Sequence, residues 1–196
     1  MPNGIPAIVL SGGNSNRLGQ PKALVSIQGK SLLSLAIKKL QHAGCMPVVV
    51  VVNKNLQYDA LIHSHGATIV VNKTPQNGRT GSLKIGLNSL IAELGRVPNQ
   101  IIMCPIDRPG WKSSHIGSLV NSGTSSCLVE GGKKGHPVSL VKDDLLNILG
   151  APDDASLRSL VDFSPVEIDN GLLWLNIDTP VDLEKLADNS NFFDEL

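Results

Sequence analysis

Short apolar runs rich in β-branched residues alternate with helical segments through the first half of the chain. Three such runs, Pro6–Leu10, Met46–Val52 and Ala67–Val71, have the length of buried strands. Residues 31–42 and, more weakly, residues 55–63 are predicted to be helices. This order favours parallel strands joined by right-handed crossovers. The pattern therefore predicts an α/β fold with a mostly parallel sheet and helices on both faces.

The second half of the chain continues this alternation with shorter elements. The predicted helices are Ser82–Gly95, Ser113–Val120, Asp143–Leu149, Ala155–Phe163 and Thr179–Ala187, and the predicted strands are Gln100–Cys104, Ser125–Glu130, His136–Val141, Pro165–Asp169 and Leu172–Ile177. The sequence contains no internal repeat and no linker, and a length of 196 residues suits one domain. We therefore expect residues 1–196 to form a single domain.

The composition favours an aliphatic interior and argues against a membrane protein. Only 3% of the residues are aromatic, which suits aliphatic strands buried between helices. The N-terminus lacks a signal pattern, and no apolar run approaches the roughly 18 residues that a membrane span needs. Cys45, Cys104 and Cys127 form no metal-binding or disulfide motif and are expected to be small buried residues. We expect a cytoplasmic protein that does not engage a membrane.

The net charge of zero conceals a polarity along the chain. Residues 1–142 hold 15 cations and 4 acids, whereas residues 143–196 hold 2 cations and 13 acids. A basic first part is consistent with an anionic ligand, although such charges also occur on an ordinary solvated surface. The sequence has no basic tail and no basic patch interleaved with aromatic residues, which disfavours a nucleic-acid partner.

A glycine-rich loop, residues 10–24 (LSGGNSNRLGQPKAL), follows the first predicted strand. Its cations Arg17 and Lys22 are the only charged residues among the first 29. Glycines at the carboxyl end of a strand let main-chain N–H groups approach phosphate oxygens. The glycine spacing fits neither a P-loop nor the dinucleotide-binding fingerprint. The loop is predicted to bind a triphosphate, and the alternative is a surface turn with solvated cations. The residues predicted to make these contacts are Leu10, Ser11, Gly12, Gly13, Arg17 and Lys22.

A second glycine-rich turn, Asn77–Ser82, leads into a helix opened by Thr80 or Gly81. Helix N-termini present free N–H groups that bind anions and polar nucleotide edges. Gly81 and Ser82 are therefore predicted to contact a nucleotide. The alternative is a helix start that is merely capped.

Two aspartates each follow an apolar strand directly. Asp107 lies between two prolines, and Asp178 precedes a Thr-Pro helix start. Carboxylates suit Mg²⁺, which needs only one or two of them when phosphates supply further ligands. The alternatives are a turn aspartate at position 107 that hydrogen-bonds its own backbone and a helix-capping role near position 178.

A basic glycine turn, Gly131–Gly135, precedes a strand that begins at His136. Lys133 and His136 are predicted to contact the phosphate of a second substrate, unless His136 is only a hydrogen-bonded sheet residue. No metal-binding set of histidines and no Ser/His/Asp grouping is evident. Chemistry without a covalent nucleophile is the simpler expectation.

These motifs resemble the molybdenum cofactor nucleotidyltransferase family, a group of Rossmann-like enzymes. Residues 10–22 match the family signature L-x-x-G-x-S-x-R-M-G-x-x-K, with Leu in place of Met. The further segments that resemble family motifs are Gly78–Leu87, Asp107–Pro109, Gly135–Val138 and Ile177–Pro180. The resemblance runs from about residue 6 to residue 187.

The resemblance implies transfer of a nucleoside monophosphate from CTP or GTP to molybdopterin cofactor, with Mg²⁺ as cofactor and a molybdoenzyme as partner. Gly135–Val138 resembles the G-H-P-V of the cytidylyl branch, whereas Ser11–Gly13 is closer to the A-G-G of the guanylyl branch, so the base stays open with CTP slightly favoured. Arg17, Lys22 and Asp107 are the implied catalytic residues. Asn176 stands where the cytidylyl branch often has an Asp, so the implied second metal ligand is Asp178.

Two other functions are consistent with the same residues. In the first, the chain is a nucleotidyltransferase for a sugar phosphate or an alcohol phosphate. Alternatively, it would be a non-catalytic nucleotide-binding chaperone that delivers a cofactor to a partner enzyme.

Overall fold

Alternating strands and helices build a central sheet that is covered on both faces. The computed structural model describes residues 4–13, 15–169 and 171–194. The strands are β1 (Ile5–Ser11), β2 (Ser26–Ile27), β3 (Lys30–Ser31), β4 (Cys45–Asn53), β5 (Thr68–Asn72), β6 (Gln100–Pro105), β7 (Ser126–Glu130), β8 (Lys133–Val141) and β9 (Ser164–Glu167). The α-helices are α1 (Leu32–His42), α2 (Gln57–Ile62), α3 (Gly78–Leu94), α4 (Ser113–Asn121), α5 (Lys142–Gly150), α6 (Leu157–Leu160) and α7 (Pro180–Asp188).

The strands confirm the predicted mostly parallel sheet. Seven strands lie in the order β5-β4-β1-β6-β8-β7-β9, and β2 pairs with β3 in a separate hairpin. The pairs β4–β5, β1–β4, β1–β6 and β7–β9 are parallel. Only β8 runs antiparallel to both of its neighbours in this sheet. Gly131 and Gly132 connect β7 to β8 and both have positive φ angles, of 55° and 75°, which suits a tight hairpin turn that reverses the chain.

Successive residues of the central strands face opposite helical layers, because side chains alternate along a strand. In β1, Ala7 and Val9 belong to one apolar core, which includes residues of α1 and α4. Ile8 and Leu10 belong to the other core, which includes residues of α3 and α5. Both faces of β1 are therefore buried, which explains why its sequence is an uninterrupted apolar run. The predicted placement of helices on both faces is confirmed.

Some helix starts lie where the capping residues of the sequence predict them, and one does not. Ser31 caps α1, since its Oγ accepts a hydrogen bond from the main-chain N–H of Ser34 at 3.1 Å. Thr179 and Asp182 form a reciprocal capping box at α7, with Pro180 at the first helical position, as predicted. In contrast, α3 begins at Gly78 and not at Thr80 or Gly81. The helix follows directly from a 3₁₀ turn at Pro75–Asn77, and the positive φ of Gly78, 76°, redirects the chain between them.

The segment Leu172–Ile177, predicted to be a strand, is irregular. Its main chain crosses residues 107–110, where the N–H of Leu172 donates to the carbonyl of Gly110 at 2.7 Å. At its far end, the N–H of Ile177 donates to the carbonyl of Asp107 at 2.9 Å. Every second side chain of the segment is apolar and buried in a core. The alternation that predicted a strand therefore reflects this burial, and the segment pairs with no neighbouring strand of the described residues.

The remaining elements lie close to their predicted positions. The predicted helix Ala155–Phe163 is shorter, with only Leu157–Leu160 helical. All three cysteines are free and buried, as predicted. Among the residues that the structure describes, no helix has the length and apolar character that crossing a membrane requires.

Candidate active site

The carboxyl ends of the parallel strands open onto one cleft of about 760 Å³. Strands β1 and β6 end at this cleft, and the residue that ends β4, Asn53, also lines it. Ligands of open α/β sheets bind at such an edge. The structure brings together nine of the predicted site residues around this cleft, namely Leu10, Ser11, Gly12, Gly13, Arg17, Lys22, Ser82, Asp107 and Asp178.

The glycine-rich loop is held at both of its sides. The side-chain amide of Asn53 donates to the carbonyl of Gly13 at 3.1 Å, and the N–H of Lys22 donates to Ser15 Oγ at 3.2 Å. Between these ties, the side chain of Leu18 is buried in a core. The loop is therefore anchored by one apolar and two polar contacts. These anchors leave the side chain of Arg17 74% exposed at the cleft.

The start of α3 packs directly against the loop. Asn72, at the end of β5, donates from its side-chain amide to Ser82 Oγ at 3.0 Å, and Ser82 Oγ donates to the carbonyl of Gly78 at 2.9 Å. A Cβ on Gly12 would lie 3.6 Å from Ser82 Oγ. Ser82 thus lines the cleft beside the loop, although its hydroxyl is engaged within the protein.

Gly81, predicted to contact a nucleotide, does not line the cleft. A Cβ at this position would come within 2.8 Å of the Asn77 Cβ and 3.5 Å of the Asp153 Cβ. The residue faces the segment before α6, because side chains one position apart on a helix point in different directions. The structure thus indicates that Gly81 permits close packing, and its contact with a nucleotide stays a prediction.

The charged side chains of the cleft form one connected group. Lys22 Nζ lies 2.5 Å from Asp178 Oδ1 and 3.5 Å from Asp107 Oδ2. Arg17 approaches the other oxygen of Asp178 at 3.0 Å, and Asn176 donates to the same oxygen at 3.3 Å. The hydrogen bond from Lys22, together with the charges of both cations, holds the pKa of Asp178 below its ordinary value.

The oxygens around this group fit a hard divalent cation. Among the described residues, Asp107 Oδ1 and Asn176 Oδ1 are buried acceptors without a hydrogen-bond partner. Such orphaned oxygens are unfavourable unless a cation or a water satisfies them. The part of the chain that the structure describes contains no group of three or more His, Cys, Asp or Glu arranged for a metal. Mg²⁺ commonly binds through one or two carboxylates, with water and phosphate oxygens as its other ligands, which is what Asp107 and Asp178 would offer.

His136 and Lys133 lie outside the cleft lining. Val138 of β8 pairs with Met103 of β6, so His136 lies further along, near the carboxyl end of β6. Lys133 is exposed at the first position of β8 and pairs across the hairpin with Glu130. The structure therefore does not bring these two residues into the cleft, and their contact with a second substrate stays a prediction.

The surroundings of His136 are cationic and were not foreseen. Burial lowers the pKa of His136 to about 3, with further lowering from the charges of Arg79, Arg108 and Arg158. The imidazole is thus neutral at pH 7 and offers hydrogen bonds but no charge. Its Nδ1 is buried without a hydrogen-bond partner among the described residues.

Sequence reasoning missed Asn53 and Asn72 as well as these arginines. Both asparagines end an apolar strand directly, and this position is the same signal that identified Asp107. The three arginines lie in separate segments of the chain, so only the fold reveals that their charges all act on one histidine.

A family profile for the MobA-like NTP transferase domain matches residues 7–180. The chain belongs to this family. It is accordingly a nucleotidyltransferase.

Three curated relatives of the family illustrate its range. The molybdenum cofactor cytidylyltransferase of Escherichia coli (strain K12) is 26% identical, with 91% of this chain and 93% of the relative covered. The molybdenum cofactor guanylyltransferase of Xanthomonas euvesicatoria pv. vesicatoria (strain 85-10) is 30% identical, with coverage of 78% and 76%. The bifunctional IPC transferase and DIPP synthase of Aquifex aeolicus (strain VF5) is 25% identical over 91% of this chain, which spans only 50% of that relative.

A solved structure shares the fold over nearly its whole length. A nucleotidyl transferase from Methanothermobacter thermautotroptrophicus superimposes with a TM-score of 0.77 at 19% identity, with 96% of this chain and 98% of the other covered. This likeness shows that the two proteins share the same α/β fold.

Proposed function

We propose that this MobA-like protein transfers a nucleoside monophosphate from CTP or GTP to a phosphorylated acceptor, with molybdopterin cofactor as that acceptor and pyrophosphate as the second product. The observation that carries the proposal is the convergence of Asp107, Asp178, Lys22 and Arg17 beside a glycine-rich loop at the carboxyl edge of the sheet. The names of the cytidylyl and guanylyl relatives support the choice of acceptor and donors.

In the proposed reaction, a phosphate oxygen of the acceptor attacks the α-phosphorus of the NTP. A new P–O bond forms as the bond to the bridging oxygen of the β-phosphate breaks, and that oxygen leaves with pyrophosphate. Arg17, Lys22 and the N–H groups of residues 12–13 would stabilise the charge that develops on the leaving group. The protein's contribution is positioning and electrostatics, with no covalent intermediate.

We propose Asp107 and Asp178 as the residues that hold Mg²⁺, since two carboxylates suffice when phosphates complete the shell. When bound, Mg²⁺ would supply neutralisation of charge on the α-phosphate and on pyrophosphate. Asp107 Oδ1 supports this assignment because it is a buried acceptor that lacks a partner among the described residues.

The cationic surroundings of His136 support an anionic acceptor. Within the described part of the chain, Arg79, Arg108 and Arg158 make no ion pair. Uncompensated guanidinium groups favour a ligand with more than one negative charge, such as a phosphate monoester. We propose that the acceptor phosphate approaches from this side, with Lys133 as a further contact and a molybdoenzyme as the recipient of the product.

The decisive experiment measures pyrophosphate release with Mg²⁺, each of CTP, GTP, ATP and UTP, and a set of phosphorylated acceptors that includes molybdopterin. We expect release with CTP or GTP only when molybdopterin is present. Reactions without acceptor control for simple NTP hydrolysis. If none of the tested combinations of NTP and acceptor releases pyrophosphate, the proposal is overturned. This holds even if a thermal-shift assay shows that NTPs bind the native protein, because binding without turnover is the behaviour of a non-catalytic chaperone.

A second candidate is transfer to a sugar phosphate or an alcohol phosphate. The observation that favours it is the Aquifex aeolicus relative named IPC transferase, which is similar to 91% of this chain. The same assay separates the two candidates, because turnover with a sugar or alcohol phosphate but not with molybdopterin would select the second.

A further inference from the structure

The ammonium group of Lys22 stands between the two carboxylates of the cleft. Lys22 Nζ is 2.5 Å from Asp178 Oδ1 and 3.5 Å from Asp107 Oδ2. The Lys22 side chain is only 14% exposed, so water screens these interactions less than it would at the surface. Lys22 is the one described cation that approaches both carboxylates within ion-pair distance.

A divalent cation that uses these carboxylates requires the lysine to move. The oxygens that contact Lys22 belong to the two residues that would bind the metal, and two cations so close together repel each other strongly. We propose that Lys22 occupies the place of the metal between Asp107 and Asp178, and that a triphosphate draws it away, so that metal and nucleotide bind cooperatively. This inference rests on the proposed function.

Contacts that do not depend on Lys22 hold the Asp178 carboxylate and the main chain at both aspartates. Asn176 donates to Asp178 Oδ2 at 3.3 Å, and the N–H of Asp178 donates to the Asp182 carboxylate at 3.1 Å. The main-chain carbonyl of Asp107 accepts from the N–H of Ile177 at 2.9 Å. Departure of the lysine would therefore leave the Asp178 carboxylate and the main chain of Asp107 in place, with the oxygens of both residues open to a metal.

A triphosphate offers Lys22 a partner with more negative charge than one carboxylate. Lys22 begins a 3₁₀ turn at the end of the glycine-rich loop, and its N–H is tied to Ser15. The side chain can thus exchange partners while its main chain stays in place. Coupling between two ligands is reciprocal and typically amounts to about a 5- to 150-fold change in affinity.

The test measures Mn²⁺ binding, by electron paramagnetic resonance of the free ion, to the full chain without nucleotide. We expect the Lys22→Met variant to bind Mn²⁺ about tenfold more tightly than the wild type, because the metal no longer competes with an ammonium group. The matched control is Lys54→Met, which removes one positive charge from an exposed residue that does not line the cleft. The double variant Lys22→Met, Asp107→Asn lacks one carboxylate of the proposed site, so the Mn²⁺ that it still binds measures binding to acidic residues elsewhere.

Equal Mn²⁺ affinity of Lys22→Met and Lys54→Met would overturn the inference, as would a gain that persists in the double variant. Lys22→Gln is measured in parallel, so that a folding defect of one variant leaves a second result. A failure of the proposed function is distinguishable, because it is a lack of pyrophosphate release by the wild type and does not alter the nucleotide-free Mn²⁺ affinities.

Discussion

The main-chain N–H of Ile177 donates a hydrogen bond to the main-chain carbonyl of Asp107 at 2.9 Å. This bond joins the turn after β6 to the segment before α7. It places Asp178, the residue after Ile177, close enough to Asp107 for both carboxylates to contact Lys22. The irregular segment 172–177 therefore serves to bring the second carboxylate to the sheet edge.

We expect Asp107→Asn to lower the rate of pyrophosphate release by on the order of a hundred- to a thousandfold, because the change removes a charge that would bind Mg²⁺ and keeps the side-chain shape. The fold should be retained, since the Asp107 carbonyl that bonds Ile177 belongs to the main chain. Steady-state rates with thermal unfolding on the same sample check this. Asp59→Asn makes the same chemical change on the exposed surface of α2 and should retain wild-type rates; activity of Asp107→Asn close to that of the control contradicts the metal role.

Much of the fold was predictable because its signals are local. The apolar runs that became β1 and β4 are buried on both faces, and Ser31 and Thr179 cap helices through their own side chains. The segment 172–177 was not predictable. Its apolar period of two is that of a strand, yet its N–H groups find isolated carbonyls and a carboxylate far away in the sequence.

The site was partly predictable for a related reason. Asp107 and the glycine-rich loop each follow a strand of the parallel sheet, so their meeting at one edge was predictable, whereas Asp178 reaches that edge through the irregular segment 172–177. The close packing of Gly81 against Asp153 was not predictable from the sequence. Nor does any local signal indicate that Arg79, Arg108 and Arg158 all act on His136.

Lys39 joins α1 to the turn before α4. Its Nζ donates to the carbonyls of Trp111 at 2.7 Å and Pro109 at 3.0 Å, and it lies 4.9 Å from the centroid of the Phe193 ring. We expect Lys39→Met to lower the free energy of unfolding by about 1–3 kcal/mol, because the buried carbonyl of Trp111 loses a donor. Urea denaturation measures the change. Lys38→Met, the adjacent helical lysine, is the control, and an equal stability of the two variants would contradict the role of Lys39.

Gly86 lets α3 approach the sheet. A Cβ there would lie 2.8 Å from Ile8 Cγ2 and 2.9 Å from Val51 Cγ2, and both neighbours are fully buried β-branched residues with little freedom to move. We expect Gly86→Ala to destabilise the protein by about 1–3 kcal/mol through overpacking. Gly117→Ala in α4 meets no atom within 4 Å and should stabilise by about 0.5–1 kcal/mol. Denaturation midpoints test whether the two substitutions change the stability in opposite directions. A stabilising effect of Gly86→Ala would contradict the close approach of α3 to the sheet.

His136 should make the stability of the protein depend on pH in the weakly acidic range. Its pKa is lowered from 6.5 to about 3, first by burial and then by Arg79, Arg108 and Arg158. The unfolded chain therefore binds a proton on this histidine at a higher pH than the native protein does. The stability associated with neutral His136 is fully present above pH 6.5 and is lost as the pH falls from 6.5 toward 3.

We expect His136→Gln, which cannot titrate, to unfold with a weaker pH dependence than the wild type. The difference between the two proteins should change by about 1–2 kcal/mol between pH 7 and pH 5, in favour of the variant at pH 5. Burial also lowers the pKa values of His65 and His115, but both proteins share these histidines and their effect cancels in the difference. Urea denaturation across this range gives the values. A difference that is constant with pH would show that the native protein protonates His136 as readily as the unfolded chain does, and would contradict the lowered pKa.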